Sequence, residues 1–397
     1  MTSKPKPGWL FFLPWSLEAV GGVNRVVIEL CREMHRQGEY RPFVLISSWP
    51  DSHARFVDKD FYTEIHYRIR EPLSESNTIK ATLLFLMYLP IELIRLKLMF
   101  KRYNIRVLNP HYFTMASLLL FTYRKVFGKS VRMVVSLHGT DLSTLENISR
   151  IRRYILLFTL KRVDAVVTCS EGLKRRLIEL SSLADSAVCS IPNGFSADMC
   201  SNSTIKHIES YDVGLPEKPY ILSVGTFDQV KGFDTLIRAY SLLAGDRPDI
   251  DLVLVGRSAS SLPDVLALIQ KYDLHKRVHI FTDVAPQSMP LFYRKASIFV
   301  LASRHEAFGI VLLEAAVNRV PIISTRTMGG TEIISDGVDG MLVCIDDIGS
   351  LRDAIADLLE NSSKAVGCAQ RMYKKVLDKY TWERTCMSYA SLINREL

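Results

Sequence analysis

The sequence is poor in the features that mark several protein classes. Cysteine is scarce and scattered: there are seven in 397 residues (31, 169, 189, 200, 344, 368 and 386). They form no Cys-x-x-Cys pair, and no histidine stands at zinc-finger spacing. An odd count without pattern excludes a complete disulfide framework and predicts a reducing compartment. Long apolar runs are also missing. The longest, Ala81–Ile91, contains Pro90 and is followed closely by Glu92 and Arg95. A bilayer span needs about 20 apolar residues, so no transmembrane helix is predicted. The apolar run Trp9–Leu13 behind a short basic N-terminus, Met1–Gly8, is too short for a signal-peptide core. No internal repeat and no low-complexity stretch occurs, which excludes solenoids and propellers and argues against disorder. There is no Gly-x-Gly-x-x-Gly and no Walker loop, so dinucleotide and ATP-hydrolase readings lose support.

A hydrophobic share of 48% fits a globular enzyme of two domains. The net charge of +8 suits an anionic substrate, a nucleic acid or an acidic membrane without choosing among them. Short apolar runs alternate with helical periods, which predicts α/β units with mainly parallel sheets. In the first half the predicted strands are Trp9–Leu13, Pro42–Ser47, Val107–Asn109, Met133–Leu137, Ala165–Cys169 and Val188–Ile191, with a helix over Asn24–Gln37 stopped by Gly38. A polar stretch, 196–217, reads as a linker. The alternation restarts with Tyr220–Val224, Asp251–Val255, Val278–Phe281, Ile298–Leu301, Pro321–Ser324 and Gly340–Val343. Helices at Leu351–Leu359, Ala365–Leu377 and Thr381–Glu396 close the chain. The organisation is therefore two doubly wound Rossmann-like domains: 1–195, and 218–378 with a last helix in 379–397. Ligands of such sheets bind beyond the carboxyl ends of the strands, and the motifs fall there.

The strongest motif is Arg304-His-Glu306-Ala-Phe308-Gly309-Ile-Val-Leu-Leu-Glu314-Ala, directly after a strand. Gly309 lets a ligand approach a helix start, and the free N–H groups of the first turn, at Phe308, Gly309 and Ile310, attract anions. Glu306 in the loop can accept hydrogen bonds from sugar hydroxyls, and Glu314, within the helix, can take both hydroxyls of a ribose. The same spacing is also met by an acidic helix start followed by a solvated helical glutamate. In Ser223-Val-Gly225-Thr226-Phe-Asp-Gln-Val-Lys231-Gly232, Lys231 can neutralise a diphosphate or be a surface lysine in a common loop type. Gly21-Gly22 after the first strand lets backbone amides close around phosphate, or forms a plain turn. In His138-Gly139-Thr140-Asp141, His138 can contact a sugar or handle a proton, while Asp141 can cap the next helix. Asn193-Gly194 is a turn former placed where a ligand could reach it.

Together these segments resemble the large family of retaining GT-B glycosyltransferases, family 4 or group 1 in type. The resemblance is strongest over Tyr220–Val343, including Met328-Gly-Gly-Thr-Glu332. It implies a GT-B fold with two domains facing a cleft: acceptor in the first, nucleotide sugar in the second, and the last helix crossing back to the first. It implies Lys231 on the diphosphate, Glu306 and the N–H groups of Phe308 and Gly309 on the donor, Glu314 on the ribose, Gly22 near the phosphates and His138 facing the reacting sugar. No metal and no cofactor are implied, consistent with the lack of a convincing Asp-x-Asp site. The implied partners are a UDP- or GDP-linked sugar and a glycan or lipid-linked acceptor in bacterial surface polysaccharide synthesis, with no nucleic acid. Two positions depart from the family pattern. Thr226 stands where a second cation is frequent, with Arg257 as a candidate substitute, and Arg319 stands where a helix-ending Gly is usual. An epimerase of the same fold, an inverting transferase with His138 as base, and a silent nucleotide-binding protein remain alternatives. Mixed basic and apolar stretches at Leu83–Arg102 and Arg150–Arg162 predict peripheral contact of a cytoplasmic protein with an anionic membrane.

Overall fold

The structure, a computed structural model, describes residues 5–17, 21–48, 54–73, 78–128, 130–195 and 214–394. The chain divides into two compact units: Met1–Pro192 with Trp382–Leu397, and Asn193–Thr381. Most of the 196–217 linker expected from the sequence lies outside the described residues.

The inner strands are unbroken apolar runs because parallel sheets are covered by helices on both faces. In the first unit these are β1 (Gly8–Leu13), buried along its whole length, and β2 (Arg41–Ser47). The short strands β3 (Arg55–Asp58) and β4 (Thr63–Tyr67) follow. Then come β5 (Ile105–Pro110), β6 (Arg132–Leu137), β7 (Ala165–Thr168) and β8 (Val188–Ser190). The sheet order is β3-β4-β2-β1-β5-β6-β7-β8, and only β3 runs antiparallel to its neighbour. Trp9, Phe11, Phe12 and Phe43 are fully buried at its centre. The strands are crossed by α1 (Gly22–Gln37), α2 (Thr78–Arg102), α3 (Ser117–Phe127), α4 (Thr140–Asn147), α5 (Arg150–Leu160) and α6 (Glu171–Ser181).

The sequence reading placed no strand between residues 51 and 67. β3 and β4 form the edge of the sheet, where the strands carry charge: Glu64 is buried but bonded to Tyr62 and His66. The run Ala81–Ile91 lies inside one 25-residue helix that continues through Pro90.

The second unit repeats the architecture with β9 (Tyr220–Val224), β10 (Asp251–Gly256), β11 (Val278–Thr282), β12 (Ala296–Leu301), β13 (Ile322–Thr325) and β14 (Met341–Val343), all parallel. Its order is β11-β10-β9-β12-β13-β14. Counted within the unit, this is the doubly wound dinucleotide-binding order, with its direction reversing between the first and fourth strands. Helices α7 (Phe233–Leu243), α8 (Leu262–Lys271), α9 (Met289–Lys295), α10 (Ile310–Val317), α11 (Met328–Ile333), α12 (Ile348–Glu360) and α13 (Ser362–Lys379) cover it. Leu236, Leu252, Leu254, Val300 and Ile355 form the centre of one apolar cluster.

The last helix, α14 (Trp382–Asn394), belongs to the first unit and packs along α1. Thr385 Oγ1 donates to the Pro192 carbonyl at 2.8 Å, and the Tyr389 hydroxyl meets Ser136 Oγ at 2.9 Å.

Candidate active site

Reversal of strand order opens a crevice at the carboxyl end of a sheet, because adjacent strands send their following segments to opposite faces. In the second unit the two strands are β9 and β12, and the segments that leave them carry Lys231 and Glu306. Lys231 ends a short 3-10 turn, Gln229–Lys231. Gly232 follows at φ +63°, and a Cβ there would stand 2.1 Å from the Ala302 carbonyl. Only glycine lets the two segments lie this close. Lys231 Nζ then reaches Glu306 Oε2 at 2.7 Å, in a pair that is mostly shielded from solvent. A lysine-to-carboxylate contact of this length is a charge-assisted hydrogen bond.

Arg304 braces the arrangement. Its guanidinium forks onto both oxygens of Asp234, each at 2.9 Å, reaches Asp346 at 2.8 Å and donates to the Gln229 carbonyl. One side chain thereby ties the Glu306 loop to the Lys231 turn and to the start of α7. A planar five-donor fork is suited to such multiple anchorage, and a lysine is not.

Behind the pair, Gly309 takes φ +90° and opens α10, which brings Phe308, Gly309 and Ile310 into the loop–helix junction. The Glu306 carbonyl accepts from Gly329 N at 2.8 Å, fixing the loop from its other side. Glu314 is 3% exposed, and Tyr293, fully buried, donates its hydroxyl to Glu314 Oε2 at 2.7 Å. A buried carboxylate held by a buried phenol is not a solvated helical glutamate, so that sequence alternative is overturned. Thr226 lies half-buried in the loop after β9, and Arg257 is exposed after β10. Arg319 does adopt the left-handed backbone of the glycine it replaces, φ +58°, with its guanidinium over the Tyr373 ring at 4.4 Å.

In the first unit the order reverses between β1 and β5. Gly21 and Gly22 are exposed at the start of α1; Gly21 is extended, and an added Cβ at either would meet nothing within 4 Å. Neither local strain nor packing explains these glycines. His138 follows β6 and stays partly exposed. Its ring Nε2 stands 2.9 Å from Nδ1 of His111, which is completely buried after β5. Asp141 is buried, and its carboxylate accepts from the backbone N–H groups of His138, Gly139 and Leu142 at 2.8–3.1 Å. That is a turn-organising role. Burial pushes the His138 pKa down to about 4 and that of His111 lower than a normal imidazole, helped there by His138. Burial also pushes Asp141 up to about 6, against the pull of its amide donors. Asn193 is buried at the start of the second unit.

Sequence reasoning missed three residues. Arg304 was visible only as the first letter of a motif, Tyr293 as one aromatic in a helix, and His111 carried no signal.

Comparison with known proteins agrees with this fold. Residues 209–375 match the model for glycosyl transferases group 1, and residues 20–198 match that for glycosyltransferase family 4. Sucrose-phosphate synthase of Zea mays is 30% identical over 194 residues, covering 45% of this chain and 18% of that protein. The chain thus spans about a fifth of the plant relatives that it matches. N-acetyl-alpha-D-glucosaminyl L-malate synthase of Bacillus anthracis is 24% identical over 293 residues, covering 74% of this chain and 75% of that protein. Among solved structures, sucrose-phosphate synthase from Thermosynechococcus elongatus superposes with a TM-score of 0.77 at 20% identity, covering 98% of both chains. HepE of Anabaena, in complex with UDP-glucose, gives 0.72 at 18%, covering 96% of this chain and 98% of its own. The fold is GT-B, and with one model on each half the chain belongs to the glycosyltransferases of the group 1 and family 4 type.

Proposed function

We propose that this enzyme moves a hexose or N-acetylhexosamine from a UDP- or GDP-sugar to a glycan or lipid-linked acceptor, with retention of anomeric configuration and without a metal, in bacterial surface polysaccharide synthesis. The observation that carries the donor assignment is the 2.7 Å Lys231–Glu306 pair at the crevice of the second unit, with Glu314 buried about one turn into α10. Glu306 accepts hydrogen bonds from the sugar hydroxyls. Lys231 and the N–H groups of Phe308, Gly309 and Ile310 take the diphosphate, and Glu314 takes the ribose. In the Lys231–Glu306 pair each charge answers the other. Charge grows on the diphosphate as the glycosidic bond breaks, so a lysine that turns toward it stabilises the transition state more than the ground state. A UDP-glucose complex of a structural neighbour supports the choice of a nucleotide sugar. Gly22 and His138 are assigned to substrate contact in the first unit.

The lipid-linked acceptor is supported by α2. Leu83, Met87, Ile91, Ile94 and Leu98 are exposed at helical spacing, while Phe85, Leu93, Leu96 and Phe100 on the other face are buried. Arg95, Lys97, Lys101 and Arg102 accompany the exposed stripe. On α5, Ile151, Tyr154 and Phe158 are exposed beside Arg150, Arg152 and Arg153. No helix among the described residues is long and apolar enough to cross a membrane, so the assigned contact is peripheral.

Alanine variants test the donor site. Glu314→Ala should weaken nucleotide binding, Glu306→Ala should mostly slow transfer, and Lys231→Ala should do both. Loss of one such electrostatic partner costs about 100–1,000-fold in rate. Turnover should survive excess EDTA, and NMR of the product should show the donor's anomeric configuration. Near-normal turnover in all three variants would remove the site assignment, and an inverted product would make His138 the candidate base.

A further inference from the structure

We propose that His111 is a positioning residue: it fixes the tautomer of His138 and so leaves His138 Nδ1 as a hydrogen-bond acceptor for a substrate hydroxyl. The second part rests on the assignment of His138 to substrate contact; the first stands on hydrogen-bond logic alone.

The chain of reasoning begins at groups that can act in one way only. The Trp9 indole N–H can only donate, and it points at Asn109 Oδ1 at 3.4 Å. The Asn109 amide nitrogen, 2.9 Å from both the Val134 carbonyl and Ser136 Oγ, must be the donor side, because a carbonyl only accepts. The Asn109 oxygen is therefore the atom that faces His111 Nε2 at 3.3 Å, and that nitrogen carries the proton. A neutral imidazole has one N–H, so His111 Nδ1 is an acceptor. Its partner at 2.9 Å is His138 Nε2, which must donate. His138 is thus the Nε2–H tautomer, with its lone pair on Nδ1.

The packing keeps the pair neutral and immobile. Asn109 and His111 are both completely buried. The His111 ring is nearly coplanar with the His138 ring that it bonds, with centroids 5.0 Å apart, lies near-parallel to Tyr389 at 6.4 Å, and meets Phe11 edge-on at 5.4 Å. Burial lowers the proton affinity of both imidazoles, which favours this single-proton arrangement. The His138 backbone is pinned separately, by its N–H on the Asp141 carboxylate. With ring and backbone both fixed, Nδ1 is the remaining hydrogen-bonding atom of the ring, and no described residue is bonded to it. His138 retains exposed surface where His111 has none. A second-layer group that sets which nitrogen of a histidine is protonated also sets what the other nitrogen can do.

The test uses the full chain labelled with 15N-histidine and long-range 1H–15N correlation spectra at pH 7. The wild type should show both imidazoles neutral and protonated at Nε2, with an unprotonated Nδ1 on His138. His111→Phe keeps an aromatic ring at this buried position and removes both nitrogens. It should give a mixture of His138 tautomers and a fall in kcat of about 10–100-fold, the usual cost of a misplaced group. His111→Gln, whose amide oxygen can accept the His138 Nε2–H, should restore the Nε2–H tautomer and part of the rate. A His138 protonated at Nδ1 in the wild type overturns the proposal whatever the variants do, including a variant that fails to fold. An unchanged tautomer in folded His111→Phe overturns it as well. If His138→Ala keeps full kcat/KM, the substrate contact is lost from the proposal together with the functional assignment of His138, while the tautomer spectrum identifies that assignment as the part that failed.

Discussion

His138 and Asp141 stand three positions apart, and burial moves them in opposite directions, because loss of water penalises the charged form of each. His138 falls to about 4 with His111 below the usual imidazole range beside it, and Asp141 rises to about 6. Above pH 6.5 the histidines are neutral in both the folded and unfolded chain and contribute nothing. As pH falls below 6.5, the unfolded chain binds protons that the folded pair refuses until about pH 4, so stability is lost across that window. Asp141 works the other way: it binds its proton near pH 6 when folded and near 3.8 when unfolded, so stability is gained as pH falls between those values. Two refusing histidines outweigh one accepting carboxyl, at about 1.4 kcal/mol per proton per pH unit. Thermal midpoints measured from pH 6.5 to 4.5 should fall more steeply in the wild type than in a His111→Asn, His138→Asn variant. Parallel curves would show that the pair is not held neutral. None of this was legible in the sequence. His138 announced itself because Gly and Asp follow it after an apolar strand, whereas His111 sits in Asn-Pro-His-Tyr, which matches no pattern. Glu314 was legible as a candidate, but its partner Tyr293 was not, because a phenol 21 residues away reaches a carboxylate only through the packing of α9 on its sheet.

Most elements were legible because parallel-sheet interiors write themselves as plain apolar runs. The exceptions have physical causes. β3 and β4 are short edge strands that mix charged, polar and apolar residues without a clean period, and α2 carries apolar residues on both its buried and exposed faces, which blurs the helical period. The end of α10 shows how an element tolerates an unexpected residue. Arg319 occupies a left-handed backbone, which costs a non-glycine about 1–2 kcal/mol. Glycine there would relieve that cost but would add about 0.4–1 kcal/mol of unfolded-chain entropy and forfeit about 0.5–1 kcal/mol from the contact with Tyr373. These terms nearly cancel, so Arg319→Gly should change stability by less than about 1 kcal/mol. Arg319→Val keeps the strain, worsens it by branching at Cβ and loses the ring contact, and should destabilise by about 1–3 kcal/mol. Denaturant unfolding of the two variants decides the matter; equal losses would mean that the left-handed backbone is not what position 319 selects.

For the molecule as a whole, the basic and apolar face of α2 sets the expected partner. Sedimentation with anionic vesicles should carry the protein into the pellet at low salt and release it as salt screens the charges, each Lys or Arg near the surface contributing about 1 kcal/mol. Leu83→Asp with Leu98→Asp should abolish pelleting and leave nucleotide affinity intact. A wild type that stays in the supernatant with every lipid mixture would remove the membrane contact and make a soluble acceptor the better assignment. The return of α14 to the first unit has a consequence for biosynthesis. The ribosome delivers β1 to β8 early, but the hydroxyl that meets Ser136 and the helix that covers α1 come from residues beyond Trp382. At about 5–20 residues per second, the whole second unit must be translated first, a wait of roughly 10–40 seconds. Through that interval the nascent first unit lacks one helix of its own coat, and the strip of α1 reserved for that helix is open to a chaperone.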